Sequence, residues 1–313
     1  MTNPDTRSML PDLASRLEAS LGAVLLGQDR AVRLVAAAVL TGSHVLLHDQ
    51  PGVGKTTLAA GVAQTMGGRF RRIQGSPDLL PTDLTGAVIP DQATGEWRFR
   101  PGPLVGNVVL VDEINRISSR TQSALLQVMA ERRISIEGHV HPLPDPYLVV
   151  ATMNPSGSAG TFELTVGQLD RFDVVLSLGR VDRATERELL RRPADHDPVA
   201  GIEAVAPLAA WPDVRRSVET VHAADPVVDY ALDVCDTVRS VGHLSVRASM
   251  SLLRLARGLA VLDGRDYVVP DDVRALAPAC LAHRLVEGAA GLDHHLAEVT
   301  ELVDRVPAPA LGS

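Results

Sequence analysis

Lysine, aromatic residues and cysteine are all scarce in this chain of 313 residues. Aromatic residues make up 3% of it, so the core is expected to consist mostly of Leu, Val, Ile and Ala, which suits helices and parallel strands. The only cysteines, Cys235 and Cys280, do not make a disulfide framework, which favours a reducing, cytoplasmic setting. No apolar run approaches the roughly 20 residues of a membrane helix, so any membrane contact is expected to be peripheral.

The charge balance is acidic, with 30 basic against 38 acidic residues and a net charge of -8. Such a chain is a poor candidate for sequence-independent binding of nucleic acid, and no nucleic-acid partner is expected. Lys55 is the only lysine, whereas the other 29 of these basic residues are arginine. A compact ammonium on a flexible stem fits where a planar guanidinium does not, and a tight phosphate-binding loop is such a place.

Lys55 stands in a segment with the pattern of a phosphate-binding loop, residues 49–56 (DQPGVGKT). The segment lies between a predicted buried strand at 44–48 and a predicted helix from Lys55 to about Met66. Glycines let backbone N–H groups point at phosphates, the lysine reaches the β- and γ-phosphates, and the Thr56 hydroxyl binds Mg²⁺. The loop residues expected to bind ATP are Pro51, Gly52, Val53, Gly54, Lys55, Thr56 and Thr57.

The strict pattern of this loop has glycine where Asp49 stands. An aspartate there is not expected to line the phosphates, because two anions repel each other.

Two carboxylates follow the predicted strand Val108–Val111. A carboxylate at the end of a buried strand can hold Mg²⁺ through water, and a second one beside it can activate the attacking water. We therefore assign Asp112 to Mg²⁺ and Glu113 to the general base. A further predicted strand, residues 147–151, leads to Asn154, which is a candidate for orienting that water or touching the γ-phosphate. An ordinary Asn-Pro turn would also explain Asn154.

Predicted strands alternate with predicted helices, which indicates an α/β fold with a parallel sheet sandwiched by helices. Residues 75–107 are rich in Gly and Pro and are interpreted as turns with a short insertion, whereas residues 134–146 suggest a hairpin around Gly138. Val174–Leu178 is the last predicted strand. After it we expect only helices, at residues 213–223, 227–240, 246–262, 271–286 and 291–304. The expected domains are an α/β nucleotide-binding domain (1–190), a linker (191–212) and a helical lid (213–313).

Local patterns predict where three of these helices begin or end. Ser119 and Gln122 form a candidate capping box at the start of a helix over Ser119–Glu131. Asp225 is a candidate cap in front of a proline at the first helical position. Gly264 is a candidate stop for the helix at 246–262.

Together these stretches resemble the MoxR family of AAA+ ATPases, over nearly the whole chain from Leu26 to about Arg284. The resemblance implies a P-loop ATPase with an all-α lid. The stretches that carry it are residues 74–81 (QGSPDLLP), 102–104 (GPL), 112–116 (DEINR), 121–126 (TQSALL), 151–155 (ATMNP), 168–172 (QLDRF), 264–273 (GRDYVVPDDV) and 283–284 (HR).

The resemblance implies an ATP site between subunits of a homo-oligomeric ring, commonly a hexamer. Arg171 matches the arginine finger that reaches a neighbour's γ-phosphate, although an ion pair with an adjacent aspartate would also explain it. Arg247 matches the sensor arginine that contacts the nucleotide of its own subunit, although it could instead face solvent near a helix start. Gln28 is expected beside the adenine, or simply in a turn between helices.

The resemblance also implies a chaperone-like ATPase that remodels or matures partner proteins, among them proteins with a von Willebrand factor A domain. The alternatives are a metal-chelatase-like ATPase subunit and a partner-dependent nucleotide switch. One departure concerns assembly: the family has a Pro-Glu-Ala run before Gln168, whereas this chain has residues 164–167 (LTVG), so a contact between subunits is lost or rewired.

Overall fold

The computed structural model of the protein describes residues 4–50, 52–91, 95–154, 161–193, 195, 197–285 and 291–309. The strands of this part of the chain are β1 (Val45–His48), β2 (Phe70–Gln74), β3 (Gly86–Pro90), β4 (Trp97–Pro101), β5 (Val108–Asp112), β6 (Arg133–Ile136), β7 (His139–Pro142), β8 (Leu148–Met153) and β9 (Val174–Leu176). Its α-helices are α1 (Pro4–Val24), α2 (Asp29–Thr41), α3 (Lys55–Met66), α4 (Pro81–Thr85), α5 (Ser119–Glu131), α6 (Val166–Leu169), α7 (Arg183–Arg191), α8 (Trp211–Glu219), α9 (Asp225–Arg239), α10 (Val246–Leu262), α11 (Pro270–Leu281) and α12 (Leu292–Asp304).

Five strands form one parallel sheet in the order β2-β5-β8-β1-β9. The three central strands, β5, β8 and β1, are buried along their length apart from Asp112 at the end of β5. Their continuous apolar sequences suit burial on both faces, as in sheets covered by helices on both sides. The predicted α/β fold is confirmed, and the carboxyl ends of β1, β5 and β8 meet at one edge.

The helices after β9 are confirmed as an all-α region, and they pack beside the sheet. Helix α10 lies along α2, whose Ala36, Ala37 and Ala38 are fully buried. The approach is close, since a Cβ added to Gly258 would lie 3.1 Å from the Ala37 carbonyl oxygen. Helix α11 packs against β9. Small residues on both helices therefore allow the helical region to sit against the edge of the sheet.

The interpretation of residues 75–107 as turns was incomplete. This segment contains α4 and an antiparallel hairpin of β3 and β4, with Val88 opposite Phe99. Prolines at the ends of both strands obscured the strand pattern, because proline is typical of strand edges. The hairpin predicted around Gly138 is confirmed: β6 and β7 pair through a two-residue turn in which Glu137 and Gly138 have φ of 49° and 79°.

The sequence predicted the presence of most helices better than the exact residue at which each begins. Ser118, one residue before the predicted cap, precedes α5, and Gln122 donates to the Ile114 and Phe162 carbonyls instead of completing a capping box. Asp225 is the first residue of α9 and not its cap. The predicted stop at Gly264 is confirmed, with φ of 70° just after α10. Helix α7 was missed, because it buries none of its residues and its sequence is mostly polar, with Leu189 and Leu190 as its only large apolar side chains.

Candidate nucleotide site

The phosphate-binding loop joins the carboxyl end of β1 to the first residue of α3. Gly52 and Gly54 have φ of 91° and 96°, a left-handed backbone that glycine adopts without strain. Pro51 lies outside the described residues. This backbone turns the loop around the N-terminus of α3, where N–H groups and the helix dipole favour a bound anion.

Lys55 is buried at the base of this loop. Its Nζ donates to the Asp49 carbonyl at 2.8 Å and to Asn154 Oδ1 at 3.3 Å. Burial lowers the pKa of the Lys55 ammonium, while the carboxylates of Asp112, Asp49 and Glu113 act in the opposite direction. Both acceptors are uncharged, so a phosphate oxygen is a stronger partner for the ammonium than either of them.

The Asp49 carboxylate points away from the loop. It accepts hydrogen bonds from the Ser177 hydroxyl (2.6 Å), the Leu178 N–H (2.7 Å) and the Gly179 N–H (3.2 Å). The aspartate that replaces the usual glycine thus ties the phosphate loop to the turn after β9. This turn also explains why β9 ends at Leu176 and not at Leu178 as predicted.

Asp112 ends β5 beside the end of β8, and Glu113 directly follows it. Thr152, fully buried on β8, donates to Asp112 Oδ1 at 2.7 Å and accepts from the Glu113 N–H at 2.8 Å. Asp112 Oδ2 accepts from Arg72 Nη2 at 2.8 Å. Glu113 has φ of 54°, an uncommon backbone for a side chain of its size and one that is found at functional sites.

The Glu113 carboxylate is held by three donors. Asn154 Nδ2 reaches Oε1 at 2.9 Å, and Gln74 Nε2 and Arg116 Nη1 reach Oε2 at 3.1 and 3.0 Å. Gly75 allows the strand ends to meet, since a Cβ there would lie 2.2 Å from the Glu113 carbonyl oxygen. A carboxylate with this many donors is restrained from turning toward another group.

These groups surround one cavity of about 510 Å³. Its lining residues are Gly52, Gly54, Lys55, Thr56, Thr57, Arg72, Gln74, Asp112, Glu113 and Asn154. Among the described residues no cluster of three His, Cys, Asp or Glu could hold a metal alone. Thr56 and Asp112 suit Mg²⁺ nevertheless, because this ion takes one or two protein oxygens and completes its shell with substrate phosphates and water.

A second cavity of about 570 Å³ adjoins the first, since Gly52, Gly54 and Thr57 line both. Its other walls include Val53, Gln28, the turn after β9 and helix α7. Gln28 Oε1 is buried there without a hydrogen-bond partner among the described residues. A mostly apolar cavity with an unsatisfied amide group suits a purine base.

Arg171 and Arg247 lie together, far from the phosphate loop. They line a cleft of about 370 Å³ with Arg132, Arg254 and His44. His44 directly precedes β1 and Arg171 precedes β9, so the cleft lies at the amino ends of these strands, whereas the phosphate loop follows the carboxyl end of β1. The four residues of β1 alone separate the two edges by ~13 Å.

Arg247 thus lines this cleft and not the cavity at the phosphate loop of its own chain. Both Arg171 and Arg247 are exposed, and neither has an ion-pair partner in the described part of the chain. The adjacent aspartates are engaged elsewhere: Asp170 pairs with Arg284, and Asp173 pairs with Arg254. The ion pairs that offered another explanation for Arg171 are therefore not formed.

Sequence reasoning missed four groups that touch the acid pair: Arg72, Gln74, Arg116 and Thr152. Arg72 and Gln74 are two residues apart on β2, so they share a face of the strand, and Arg72 donates to Gln74 Oε1 at 3.0 Å. The alternation was visible in the sequence. That β2 lies beside β5 was not, because strand order is decided by tertiary contacts.

The fold and this site define a P-loop nucleotide-binding protein of the AAA+ class. Residues 44–174 match the model of an "ATPase family associated with various cellular activities (AAA)", and residues 234–306 match that of an AAA lid domain. The chain belongs to the MoxR family of AAA+ ATPases.

Two curated relatives and one solved structure are similar to nearly the whole chain. Protein YeaC of Bacillus subtilis (strain 168) is 41% identical over 84% of this chain and 83% of its own. Chaperone MoxR1 of Mycobacterium tuberculosis is 39% identical over 84% of this chain and 73% of its own. A crystal structure of a protein from Cytophaga hutchinsonii ATCC 33406 has a TM-score of 0.86 and 28% identity, covering 97% of both chains.

The chelatase alternative has weaker support. The magnesium-chelatase 38 kDa subunit of Acidiphilium rubrum is 29% identical over 62% of this chain and 58% of its own. That similarity is lower and shorter than the similarity to MoxR1, so chelatases are distant relatives. In the described residues, no helix is both long and apolar enough to cross a membrane.

Proposed function

We propose that this protein binds and hydrolyses ATP at sites shared between neighbouring subunits of a hexameric ring. One observation carries the proposal: the phosphate loop and the paired arginines, Arg171 and Arg247, lie at opposite edges of the sheet. Arginines that reach no phosphate of their own subunit are suited to reach one across an interface, where they stabilise transition-state charge.

In the proposed reaction, the loop N–H groups and Lys55 bind the phosphates, while the larger cavity takes the base beside Gln28. Thr56 and Asp112 would hold Mg²⁺, which when bound would supply positive charge that offsets the negative charge of the phosphates. Glu113 accepts a proton from the attacking water, and Asn154 fixes the direction of that carboxylate through its amide. Arg171 and Arg247 of the next subunit complete the site.

A mixing experiment tests this proposal. Glu113→Gln subunits lack the base but carry intact arginines, whereas Arg171→Ala subunits carry an intact loop and base. Measured separately, Arg171→Ala should turn over ATP about 10³-fold or more slowly than the wild type. Glu113→Gln should be slower by at least about 10²-fold. Their mixture should regain activity, measured as phosphate release, because each Arg171→Ala site can receive an arginine from a Glu113→Gln neighbour. A mixture as inactive as its components would refute the shared site.

We further propose that turnover drives the remodelling or maturation of a partner protein. One relative is named Chaperone MoxR1, and that name supports an action on other proteins. Consistent with a cytoplasmic site of action, Cys235 and Cys280 are both free thiols.

A protein with a von Willebrand factor A domain is the partner to test first. Glu113→Gln should retain this partner in ATP but not in ADP, as read by co-purification, and Lys55→Met is the control that should retain it in neither. Equal retention by all forms would contradict nucleotide-driven action.

A partner-dependent switch is the second candidate, because both carboxylates are occupied. Glu113 is held by three donors, and Asp112 is paired with Arg72. If the protein is such a switch, turnover is slow until a partner or a neighbouring subunit releases the carboxylates of Asp112 and Glu113. Basal turnover that rises on adding the partner, without a change in subunit assembly, would favour the switch over constitutive hydrolysis.

A further inference from the structure

The loop that carries Arg171 is held on both sides by the helical region. The Asp170 carboxylate accepts hydrogen bonds from Arg284 Nε at 2.8 Å and from the Ser245 hydroxyl at 2.9 and 3.1 Å. The Phe172 carbonyl accepts one from Arg284 Nη2 at 3.0 Å. Arg284 is therefore hydrogen-bonded to both sequence neighbours of Arg171, Asp170 and Phe172. Arg171 itself is exposed and has no ion-pair partner among the described residues.

Arg284 is unusual in being a fully buried arginine, with 1% of its surface exposed. It ends a short 3₁₀ turn after α11, where Nη1 donates to the Cys280 carbonyl and Nη2 also reaches Ser251 Oγ at 3.3 Å. A buried guanidinium is costly unless all its donors are satisfied, and packing alone is better served by an apolar side chain. The fork of donors instead suits a residue that must hold several acceptors at fixed positions.

Ser245 extends the same contact to Arg247. It stands at the N-cap position of α10, where serine usually bonds a backbone N–H of the first turn. Here its side chain makes no such bond, and its hydroxyl turns to Asp170. Asp170 is thus attached to Arg284 on one side and to the start of the helix that carries Arg247 on the other.

A neighbouring set of contacts fastens the same loop to the amino end of β1. Asp173 accepts from Ser251 Oγ at 2.7 Å, from Arg254 Nη2 at 2.5 Å and from the His44 N–H at 2.8 Å. Burial raises the pKa of the Asp173 carboxyl, but these partners outweigh burial and hold that pKa below its usual value. The contacts of Asp173 consequently still hold the loop when the hydrogen bond between Arg284 and Asp170 is removed.

We propose that Arg284 is a positioning residue that holds Arg171 and Arg247 as one rigid unit on the helical region, so that both are presented together to the neighbouring subunit. This inference rests on the shared site proposed above. Arg284 touches no nucleotide; it acts through Asp170 and the Phe172 carbonyl. Because these contacts fix the helical region to the loop in front of β9, a change in the helical region is transmitted to both arginines, which links the lid to hydrolysis in the next subunit.

Subunit mixing tests the inference, because it separates a subunit's own site from the arginines it donates. The variant is Arg284→Lys, which keeps the charge but cannot bridge two acceptors in a fork. Its matched control is Arg274→Lys, which changes an exposed arginine of α11 that pairs with Asp304 within the helical region. Each variant is mixed with Glu113→Gln and, separately, with Arg171→Ala.

We expect Arg284→Lys to behave as a poor donor with an intact site of its own. Mixed with Glu113→Gln, it should regain activity, because its site receives good arginines. Mixed with Arg171→Ala, it should stay about 10- to 100-fold below the Arg274→Lys control, since a small displacement of a catalytic group has an effect of that size. Ser245→Ala, an exposed substitution that leaves Arg284 in place, should show the same asymmetry more weakly.

Two other results would overturn the inference. If Arg284→Lys rescues Arg171→Ala as well as the control does, Arg284 does not position the donated arginines. If Arg284→Lys also fails with Glu113→Gln, or loses ATP binding or cooperative unfolding, while Ser245→Ala shows no asymmetry, Arg284 has only a structural role. Failure of Glu113→Gln and Arg171→Ala to complement each other is a separate outcome that removes the shared site itself.

Discussion

At the scale of single residues, Lys55 and Asp49 show how one loop performs two tasks. Lys55 is the only lysine, and it lies where a phosphate would displace its contacts with the Asp49 carbonyl and Asn154. The Asp49 side chain turns the other way and holds the turn after β9, which also lines the cavity proposed for the base. The same residue thus contacts the phosphate side through its backbone and the base side through its carboxylate.

A single lysine permits a clean labelling experiment. Pyridoxal phosphate followed by borohydride should modify Lys55, because a lysine with a lowered pKa is a good nucleophile and the loop binds the reagent's phosphate. ATP should protect it, as measured by intact mass and peptide mapping. Lys55→Arg is the control, in which only the terminal amine remains reactive. Labelling that ATP does not reduce would mean that the lysine is not at the nucleotide.

Replacing Asp49 by glycine would restore the usual loop pattern but remove three hydrogen bonds. The Leu178 N–H, whose partner is buried Asp49, would lose its acceptor, so the free energy of unfolding should fall by about 1–3 kcal/mol in urea denaturation. Affinity for ATP should fall too, since the turn lining the base cavity loosens. Asp49→Asn, which keeps an acceptor oxygen, should lose less. A glycine variant as stable as wild type would show that the three bonds contribute no net stability.

At the scale of elements, the ends of β2, β5 and β8 bring together groups that are distant in sequence. Gln74 ends β2 and donates to Glu113, while Arg72 on the same face donates to Gln74 Oε1 and to Asp112. Strand β2 therefore acts as a restraint on the acid pair. We expect that releasing this restraint changes the rate of turnover.

Removing the Gln74 amide should change basal hydrolysis. Gln74→Ala leaves Glu113 with two of its three donors, so the carboxylate turns toward water more easily and kcat should rise a few-fold, a gain of less than about 1.4 kcal/mol. Steady-state phosphate release measures it, with Arg71→Ala on the opposite face of β2 as the control. A lower kcat at unchanged KM would mean that Gln74 positions Glu113 for catalysis and does not restrain it.

At the scale of the whole molecule, the sheet and the helical region are joined by buried polar groups. His44 at the start of β1 and His283 after α11 are both buried, and burial lowers their pKa from 6.5 to about 4 and about 3. His283 Nε2 contacts the Phe172 carbonyl at 3.0 Å, and the His44 ring accepts from the Val149 N–H. Both are therefore neutral in the folded protein near pH 5, where they would be charged in the unfolded chain.

This difference predicts acid sensitivity. Because the folded pKa lies below the unfolded value, the unfolded chain takes up protons first, and stability falls as pH decreases from about 6.5 toward 4. Each histidine contributes a slope of about 1.4 kcal/mol per pH unit below its unfolded pKa. In urea denaturation, His283→Gln should reduce the slope of the unfolding free energy against pH by about 1.4 kcal/mol per pH unit. The substitution His294→Gln, at an exposed histidine, should leave that slope unchanged. An unchanged slope in His283→Gln would show that His283 is not held neutral.

What the sequence determined by itself was local. Residues 49–56 are contiguous, so glycines, lysine and threonine revealed the phosphate loop without knowledge of the fold, and apolar runs such as Val108–Val111 revealed the buried strands. The tertiary structure decided which distant groups meet. Asp49 reaches a turn 128–130 residues away. Arg171 and Arg247 meet at the edge opposite the loop because strand order and the packing of α10 on α2 place them there. Such contacts depend on how the elements assemble, which no single segment specifies.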